Sequence, residues 1–119
     1  MVENEDILYE NLVAVTLFER SFYTGEEIYY WKHESEKEID FIVKKGPKII
    51  KLIQVSFNIE SQTTLDRECR ALVIGSRELQ CDDLILLTEN KSLELIYEWQ
   101  NEKKKIKIIP LYLWLTGLN

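Results

Sequence analysis

Three polar side chains interrupt two apolar runs in one central stretch of the chain, residues 37–57. Asp40 lies in the first run, and Gln54 and Ser56 lie in the second, after the turn at Gly46-Pro47. Two apolar runs around such a turn predict a pair of neighbouring strands. Since alternate side chains of a strand share a face, Gln54 and Ser56 point the same way, and Asp40 can face them from the adjacent strand. Carboxylate and amide oxygens are ligands that a hard cation accepts.

A first helix, predicted from Glu3 to about Arg20, precedes this stretch. Apolar residues recur along it at steps of three and four and form an apolar stripe: Ile7, Leu8, Leu12, Val15, Phe18 and Phe22. Glu10 lies off the centre of that stripe. Two interpretations of Glu10 remain open: a solvated glutamate, or a side chain that projects from the helix toward the sheet.

The remaining pattern predicts one α/β domain, residues 1–119, with a central mixed sheet flanked by helices. The pattern predicts a strand over Ile28–His33 and a polar turn over Glu34–Lys37 before the two central strands. In the first central strand, Ile39 is expected to share a face with Phe41 and Val43. In the second central strand, Ile50 is expected to share a face with Leu52, Gln54 and Ser56. A second helix is predicted from the capping residues Ser61–Thr64 to about Leu79. Its inward stripe consists of Leu65, Cys69, Leu72, Ser76 and Leu79. Its charged residues are expected to be mostly solvated: Arg67, Glu68, Arg70, Arg77 and Glu78. The apolar strand Asp83–Thr88 then completes a parallel βαβ unit. An accessory strand pair within Leu93–Ile109, predicted as Leu93–Trp99 and Lys105–Ile109, follows it, and a closing helix, Pro110–Leu115, ends the pattern.

Composition narrows the classes of function. The net charge of −6 argues against strong autonomous nucleic-acid binding, which depends on neutralising phosphates. Lys103, Lys104, Lys105 and Lys107 are therefore interpreted first as a solvated loop and edge strand, and second as a phosphate-contact patch. With one histidine and two cysteines at no metal-binding spacing, the sequence predicts no zinc site and two buried free thiols. No membrane-length apolar run and no signal-peptide pattern occur, so a cytoplasmic protein without membrane contact is expected.

The order of the motifs resembles the C-terminal domain of archaeal AAA-type ATPases, which has a restriction-endonuclease-like, or PD-(D/E)xK, fold similar to archaeal Holliday-junction resolvases. The resemblance covers residues 10–115 and is carried by Glu-Asn-Leu-Val, Tyr-Tyr-Trp-Lys, Glu-Ile-Asp-Phe-Ile-Val, Leu-Ile-Gln-Val-Ser, Arg-Glu-x-Arg-Ala-Leu and Pro-x-x-x-Trp-Leu. It implies an α-β-β-β-α-β core with a nuclease centre at Glu10, Asp40, Gln54 and Ser56. In that pattern Gln54 replaces the second acid and Ser56 replaces the lysine.

These replacements argue against catalysis. Glu10, Asp40 and Gln54 would bind Mg²⁺ only weakly, since the amide is neutral, and Ser56 cannot supply positive charge. Lys44, Lys51 and Arg67 are candidate relocated cations, of which Lys51 is expected to point away from Ser56.

The sequence therefore predicts a non-catalytic accessory domain that requires no cofactor and has no phosphate-binding loop of its own. An upstream ATPase module or a separate ATPase is the implied partner, and the domain would bind nucleic acid or protein. The alternatives are a weak Mg²⁺-dependent DNA endonuclease and an oligomerisation module. The second alternative, a homo-oligomer, is suggested by Trp99, Tyr112 and Trp114, although aromatic residues more commonly close a core.

Overall fold

The computed structural model describes residues 2–32 and 38–117 as three helices and six strands. In chain order these are α1 (Val2–Thr24), β1 (Glu27–Lys32), β2 (Glu38–Lys45), β3 (Lys48–Val55), α2 (Gln62–Leu79), β4 (Leu84–Thr88), β5 (Leu93–Trp99), β6 (Glu102–Pro110) and α3 (Leu111–Leu115). His33 and the turn predicted at 34–37 lie outside the described residues. None of the helices described is long and apolar enough to cross a membrane.

The strands form one mixed sheet in the order β1-β2-β3-β4-β6-β5, which confirms the predicted α/β class. β1, β2 and β3 pair antiparallel, β4 lies parallel to both β3 and β6, and β5 and β6 form a hairpin. The expected start of β6 at Lys105 is wrong by three residues. Gln100 and Asn101 both have positive φ, which makes a tight two-residue turn, so pairing begins immediately at Trp99 and Glu102.

Helices cover both faces of the sheet. α2 packs on one face, over a core that includes Ile39, Leu52 and Leu86, and α1 and α3 lie on the other, over Ile53, Ile85 and Leu87. β4 lies between these layers and is buried along its whole length, as expected for a central parallel strand. Trp114 is buried in the second core, while Trp99 stacks on Arg70 at 4.2 Å. These two tryptophans therefore close the fold, whereas Tyr112, the third aromatic residue considered for oligomerisation, is 63% exposed.

α2 follows its sequence pattern closely. Ser61 caps the helix by accepting a hydrogen bond from the backbone N–H of Thr64, and the predicted inward stripe is buried or half-buried. Gly75 lies where the helix approaches the sheet most tightly, since a Cβ there would come within 3.2 Å of the Ile39 side chain. The close approach fixes the distance between α2 and the β2–β3 pair.

α1 presents a different face to the core from the one its apolar stripe suggests. Val13 and Leu17 are buried, whereas the stripe defined by Ile7, Leu8, Leu12, Val15, Phe18 and Phe22 is exposed. Polar anchors at the two ends of the helix set its rotation: Asp6 Oδ1 accepts a 2.8 Å hydrogen bond from Phe57 N, and Arg20 Nη2 donates a 2.9 Å bond to Trp114 O. The two anchors and the two buried residues follow one another at steps of seven, four and three, so they share one side of the helix.

Two β-bulges change the predicted strand faces. On β2, three steps from Ile39 to Ile42 lie opposite two steps on β1, so Ile39 joins Ile42 on the α2 face and not Phe41 and Val43. A second irregularity near Lys44 places Ile50 on the α1 face, away from Leu52. A strict alternation of side chains cannot anticipate these switches, because each bulge inserts an extra residue into one strand.

Candidate functional site

The candidate site lies where β2 and β3 separate. Backbone pairing between the two strands ends at Phe41 and Ile53, one residue before Asp40 and Gln54 would meet. From Leu52 onward β3 pairs with β4 on its other side. The bulge on β2 includes Asp40, and bulges of this kind re-aim side chains near functional sites.

Side-chain hydrogen bonds replace the missing backbone pairing between β2 and β3 at this point. Gln54 Oε1 accepts a 2.8 Å hydrogen bond from Asp40 N, and Asp40 Oδ2 accepts a 2.9 Å bond from Val55 N. Each strand thus supplies a side-chain acceptor for a backbone donor on the other. Buried backbone N–H groups left without a partner would be costly, so this reciprocal pair holds the ends of the two strands together.

The amide nitrogen of Gln54 has a separate set of partners. Nε2 donates to the backbone oxygen of Glu38 at 2.8 Å and to Glu68 Oε1 at 3.1 Å. With Oε1 bound to Asp40 N, both ends of this 2% exposed side chain are used in structural bonds. This geometry favours a structural role for Gln54 over the metal-ligand role considered from the sequence. It also explains why this residue is a glutamine: a glutamate would place an oxygen acceptor against the two acceptors Glu38 O and Glu68 Oε1.

Carboxylates surround the pocket beside this hydrogen-bond exchange. The pocket has a volume of about 240 Å³, and its charged lining is Asp6, Glu10, Glu38, Asp40, Arg67 and Glu68. Among the described residues, Arg67 is the one cation in the lining; its side chain is largely exposed, and its guanidinium lies 3.8 Å from the Glu68 carboxylate. We call this feature the acidic pocket.

Three carboxyl groups in the acidic pocket have raised pKa values. Burial raises the pKa of Asp40 to about 7, against the opposing effect of the hydrogen bond from Val55. Burial and then the Asp40 carboxylate raise the pKa of Glu68 to about 7, and burial and then Asp6 raise that of Glu10. These carboxyls are desolvated next to like charges, so a positive group entering the pocket would be stabilised.

The predicted site residues are brought together in part. Glu10 and Asp40 line the acidic pocket with Gln54, so the Glu10 side chain projects toward the sheet while it stays half-exposed. Ser56 is buried but does not line the pocket, and its N–H donates to Leu87 O. Among the candidate relocated cations, Arg67 lines the pocket; Lys51 lines a different one on the α1 side, and Lys44 lies over the Tyr29 ring.

A metal site is not preformed by the described side chains. Within residues 2–32 and 38–117, no three His, Cys, Asp or Glu side chains converge closely enough to hold a metal ion. In the acidic pocket, the Asp40 carboxylate accepts a backbone hydrogen bond from Val55, and burial raises its pKa.

The four lysines of β6 do not form one cationic surface. By strand alternation, Lys104 lies on the α2 face with Ile106, whereas Lys103, Lys105 and Lys107 lie on the opposite face. Lys104 pairs with Asp82 at 2.8 Å, Lys107 with Asp83 at 3.0 Å, and Lys105 with Glu94 at 3.8 Å. Most of their charge is thus matched by carboxylates of the same domain, which weakens the interpretation as a phosphate-contact patch.

Glu68 is the pocket residue that the sequence interpretation missed. It was grouped with the solvated residues of α2, yet its side chain is only 15% exposed. A signal was present in the spacing: Glu68 lies three residues after Leu65 and four before Leu72, within the inward stripe. A charged residue at such a position is a candidate for a site at the helix–sheet boundary.

Comparisons with known proteins give the family. A family described as "Domain of unknown function (DUF4143)" matches residues 6–114, nearly the whole chain. The chain belongs to the DUF4143 family. A relative from Methanocaldococcus jannaschii, "Uncharacterized protein MJ1544", is 28% identical over 115 residues. The alignment covers 94% of this chain and 25% of that protein, so this DUF4143 chain spans about a quarter of the relative's length.

A solved structure shares the fold. A chain in the assembly of Thermococcus gammatolerans McrB AAA+ hexamers with bound McrC superposes with a TM-score of 0.54 at 17% identity. The match covers 88% of the DUF4143 chain and 27% of the Thermococcus chain. At this identity the likeness establishes a common fold.

The raised carboxyl pKa values predict a specific pH dependence. Asp40 and Glu68 bind protons more tightly when folded, so the free energy of unfolding rises as pH falls from 8 through 7 toward 5. Glu68→Gln removes one of these charges but keeps an acceptor for Gln54. We expect it to raise the free energy of unfolding by about 2–3 kcal/mol at pH 8, with the gain lost near pH 5.

Urea unfolding at pH 5, 6, 7 and 8 measures this effect. The matched control is Glu60→Gln, which neutralises an exposed glutamate outside the acidic pocket. Equal effects of the two substitutions at pH 8 would contradict the assignment of a raised pKa to Glu68.

Proposed function

We propose that this DUF4143 chain is a non-catalytic, ATPase-associated accessory domain that docks a basic segment of a protein partner in its acidic pocket. The observation that carries the proposal is the set of five carboxylates around one pocket, where Arg67 is the single cation contributed by residues 2–32 and 38–117. Burial, and after it the neighbouring carboxylates, raise the pKa of Asp40 and Glu68, and a lysine or arginine side chain would stabilise their charged forms.

The proposed association with an ATPase rests on the two similar proteins described above. The structural neighbour belongs to an AAA+ assembly, and both compared proteins are about four times as long as the matched segment, consistent with a domain that works beside other modules. The observed order α1-β1-β2-β3-α2-β4 is the order of a restriction-endonuclease-like core, and we propose that fold relationship as well. Fold alone does not assign catalysis, so the role follows from the pocket.

The charges favour a protein partner over nucleic acid. The chain carries a net charge of −6, and three of the four β6 lysines pair with carboxylates. A phosphate backbone would be repelled by the acidic pocket, whereas a basic peptide would be attracted to it.

NMR titration of the ¹⁵N-labelled chain with an arginine-rich decapeptide, and separately with a short DNA duplex, tests this role. We expect the peptide to shift the amide signals of Asp40, Val55 and Glu68, and the duplex to leave them unchanged. The double variant Asp40→Asn, Glu68→Gln should weaken peptide binding at least about 10-fold, as expected for the loss of charge-assisted hydrogen bonds.

The control removes the same amount of charge elsewhere. Glu60→Gln with Glu98→Gln neutralises two exposed carboxylates outside the acidic pocket and should leave peptide affinity within about two-fold. Binding of the duplex in preference to the peptide would overturn the proposed function, as would equal losses in the two double variants.

A second candidate is Mg²⁺-dependent DNA cleavage, which one observation favours: Arg67 lines the pocket that contains Glu10 and Asp40 and would place a positive charge there. Three features oppose it, namely the structural bonding of Gln54, the position of Ser56 outside the pocket, and the lack of converging metal ligands among the described residues.

Plasmid cleavage in Mg²⁺ or Mn²⁺ separates the two candidates. We expect the unmodified chain to cleave no faster than Asp40→Asn, because a missing stabiliser of developing negative charge costs about 10²–10³-fold in rate. Cleavage that requires both Asp40 and Arg67 would establish the second candidate instead.

A further inference from the structure

The outer side of α1 is the largest apolar surface on a helix of the described structure. We define the α1 face by its six members, whose exposed fractions run from 40% for Leu12 to 85% for Phe22: Ile7, Leu8, Leu12, Val15, Phe18 and Phe22. No described residue from another element covers them. Monomeric proteins rarely expose apolar patches above a few hundred Å², and larger ones mark interaction sites.

We propose that the α1 face binds the α1 face of a second copy, so that the chain forms an isologous dimer through two antiparallel helices. This inference is independent of the acidic pocket and extends beyond the proposed function. A two-fold interface must present the same patch on both partners, and one helix face meets that condition.

The area available approaches that of a standard dimer interface. From the exposed fractions, the six side chains present roughly 700 Å² per copy, and a standard specific interface buries about 800 Å² per partner. Tyr23, which is 88% exposed and lies edge-on to the Phe22 ring at 5.6 Å, extends the patch at its C-terminal end. The α1 face alone therefore supplies most of the required surface.

The charges also favour self-association. Two copies with a net charge of −6 would repel at most surfaces, but none of the six residues of the α1 face is charged. The exposed Glu19 lines the groove next to Phe18 and Phe22, so the dimer must keep this carboxylate at the solvated rim, because burying it would be costly. A strongly basic partner would find no carboxylate to pair with among these six residues.

The distribution of side-chain size selects the antiparallel arrangement. α1 spans Val2–Thr24, so antiparallel helices that cross at their midpoints place Leu8 opposite Phe18, and Asn4 opposite Phe22, of the second copy. The bulky end of each helix then packs on the less bulky end of the other. A groove lies at the bulky end and can receive Leu8; it is lined by Phe18, Glu19, Phe22 and Tyr23. A parallel pair would instead set Phe18 on Phe18 and Phe22 on Phe22.

Sedimentation equilibrium of the full chain measures the dimer directly. We expect twice the mass of one chain for the unmodified protein, and Phe18→Glu should raise the dimer dissociation constant at least about 30-fold, as for an interface hot spot. Phe18 is 60% exposed, so the substitution should leave the fold intact, which circular dichroism checks. The control Ile96→Glu alters a residue that is 62% exposed on β5 and should leave the dimer unchanged.

Cysteine cross-linking tests the direction of the helices. Leu12 lies next to the two-fold axis of the antiparallel pair, so Leu12→Cys should form a disulfide between copies under mild oxidation. Phe22→Cys should not, because the two Phe22 positions would be separated by roughly 27 Å along the helices. The native cysteines, Cys69 and Cys81, are buried and should not interfere. A monomer at all concentrations, or cross-linking through Phe22→Cys but not Leu12→Cys, would overturn the proposal.

Discussion

The exchange of hydrogen bonds between Asp40 and Gln54 is the interaction on which the centre of this structure depends. β3 leaves β2 at this point and pairs with β4, so backbone groups on both strands lose their ladder partners. Gln54 accepts from Asp40 N and Asp40 accepts from Val55 N, and the two side chains thereby allow one strand to belong to an antiparallel pair and to a parallel pair. The change from antiparallel to parallel pairing along β3 thus places the Asp40 carboxylate and the Gln54 amide in the interior of the sheet.

The electrostatics of the pocket follow from that arrangement. Asp40 is held in place by its bond from Val55, and the Gln54 amide draws Glu68 from α2 toward the same point. Glu10 enters from α1, because the hydrogen bond of Asp6 at the end of β3 fixes the rotation of that helix. Carboxylates from three elements therefore meet in one pocket, where burial first, and the neighbouring carboxylates after it, raise the pKa values of Asp40, Glu68 and Glu10. The same rotation of α1 leaves its apolar stripe exposed.

The sequence predicted the parts of the fold in which local pattern and tertiary packing agree. The inward stripe of α2, the buried β4 and the meeting of Asp40 with Gln54 follow from periodicity and strand register. The orientation of α1 did not follow, because two stripes compete on that helix and long-range polar anchors choose the less apolar one. The faces on which side chains near the two bulges lie, and the inward position of Glu68, also depend on partners that are distant in sequence. The local spacing of apolar residues carries no information about such partners.

The free energy of unfolding of Gln54→Glu at pH 8 tests this account most directly. The substitution preserves shape and replaces the donor that reaches Glu38 O and Glu68 with an acceptor. The account predicts a loss of at least about 2 kcal/mol, since a buried charged group would face unpaired acceptors. The exposed control Gln100→Glu should change stability by less than about 0.5 kcal/mol. A Gln54→Glu variant as stable as the unmodified chain would contradict the structural role assigned to this residue.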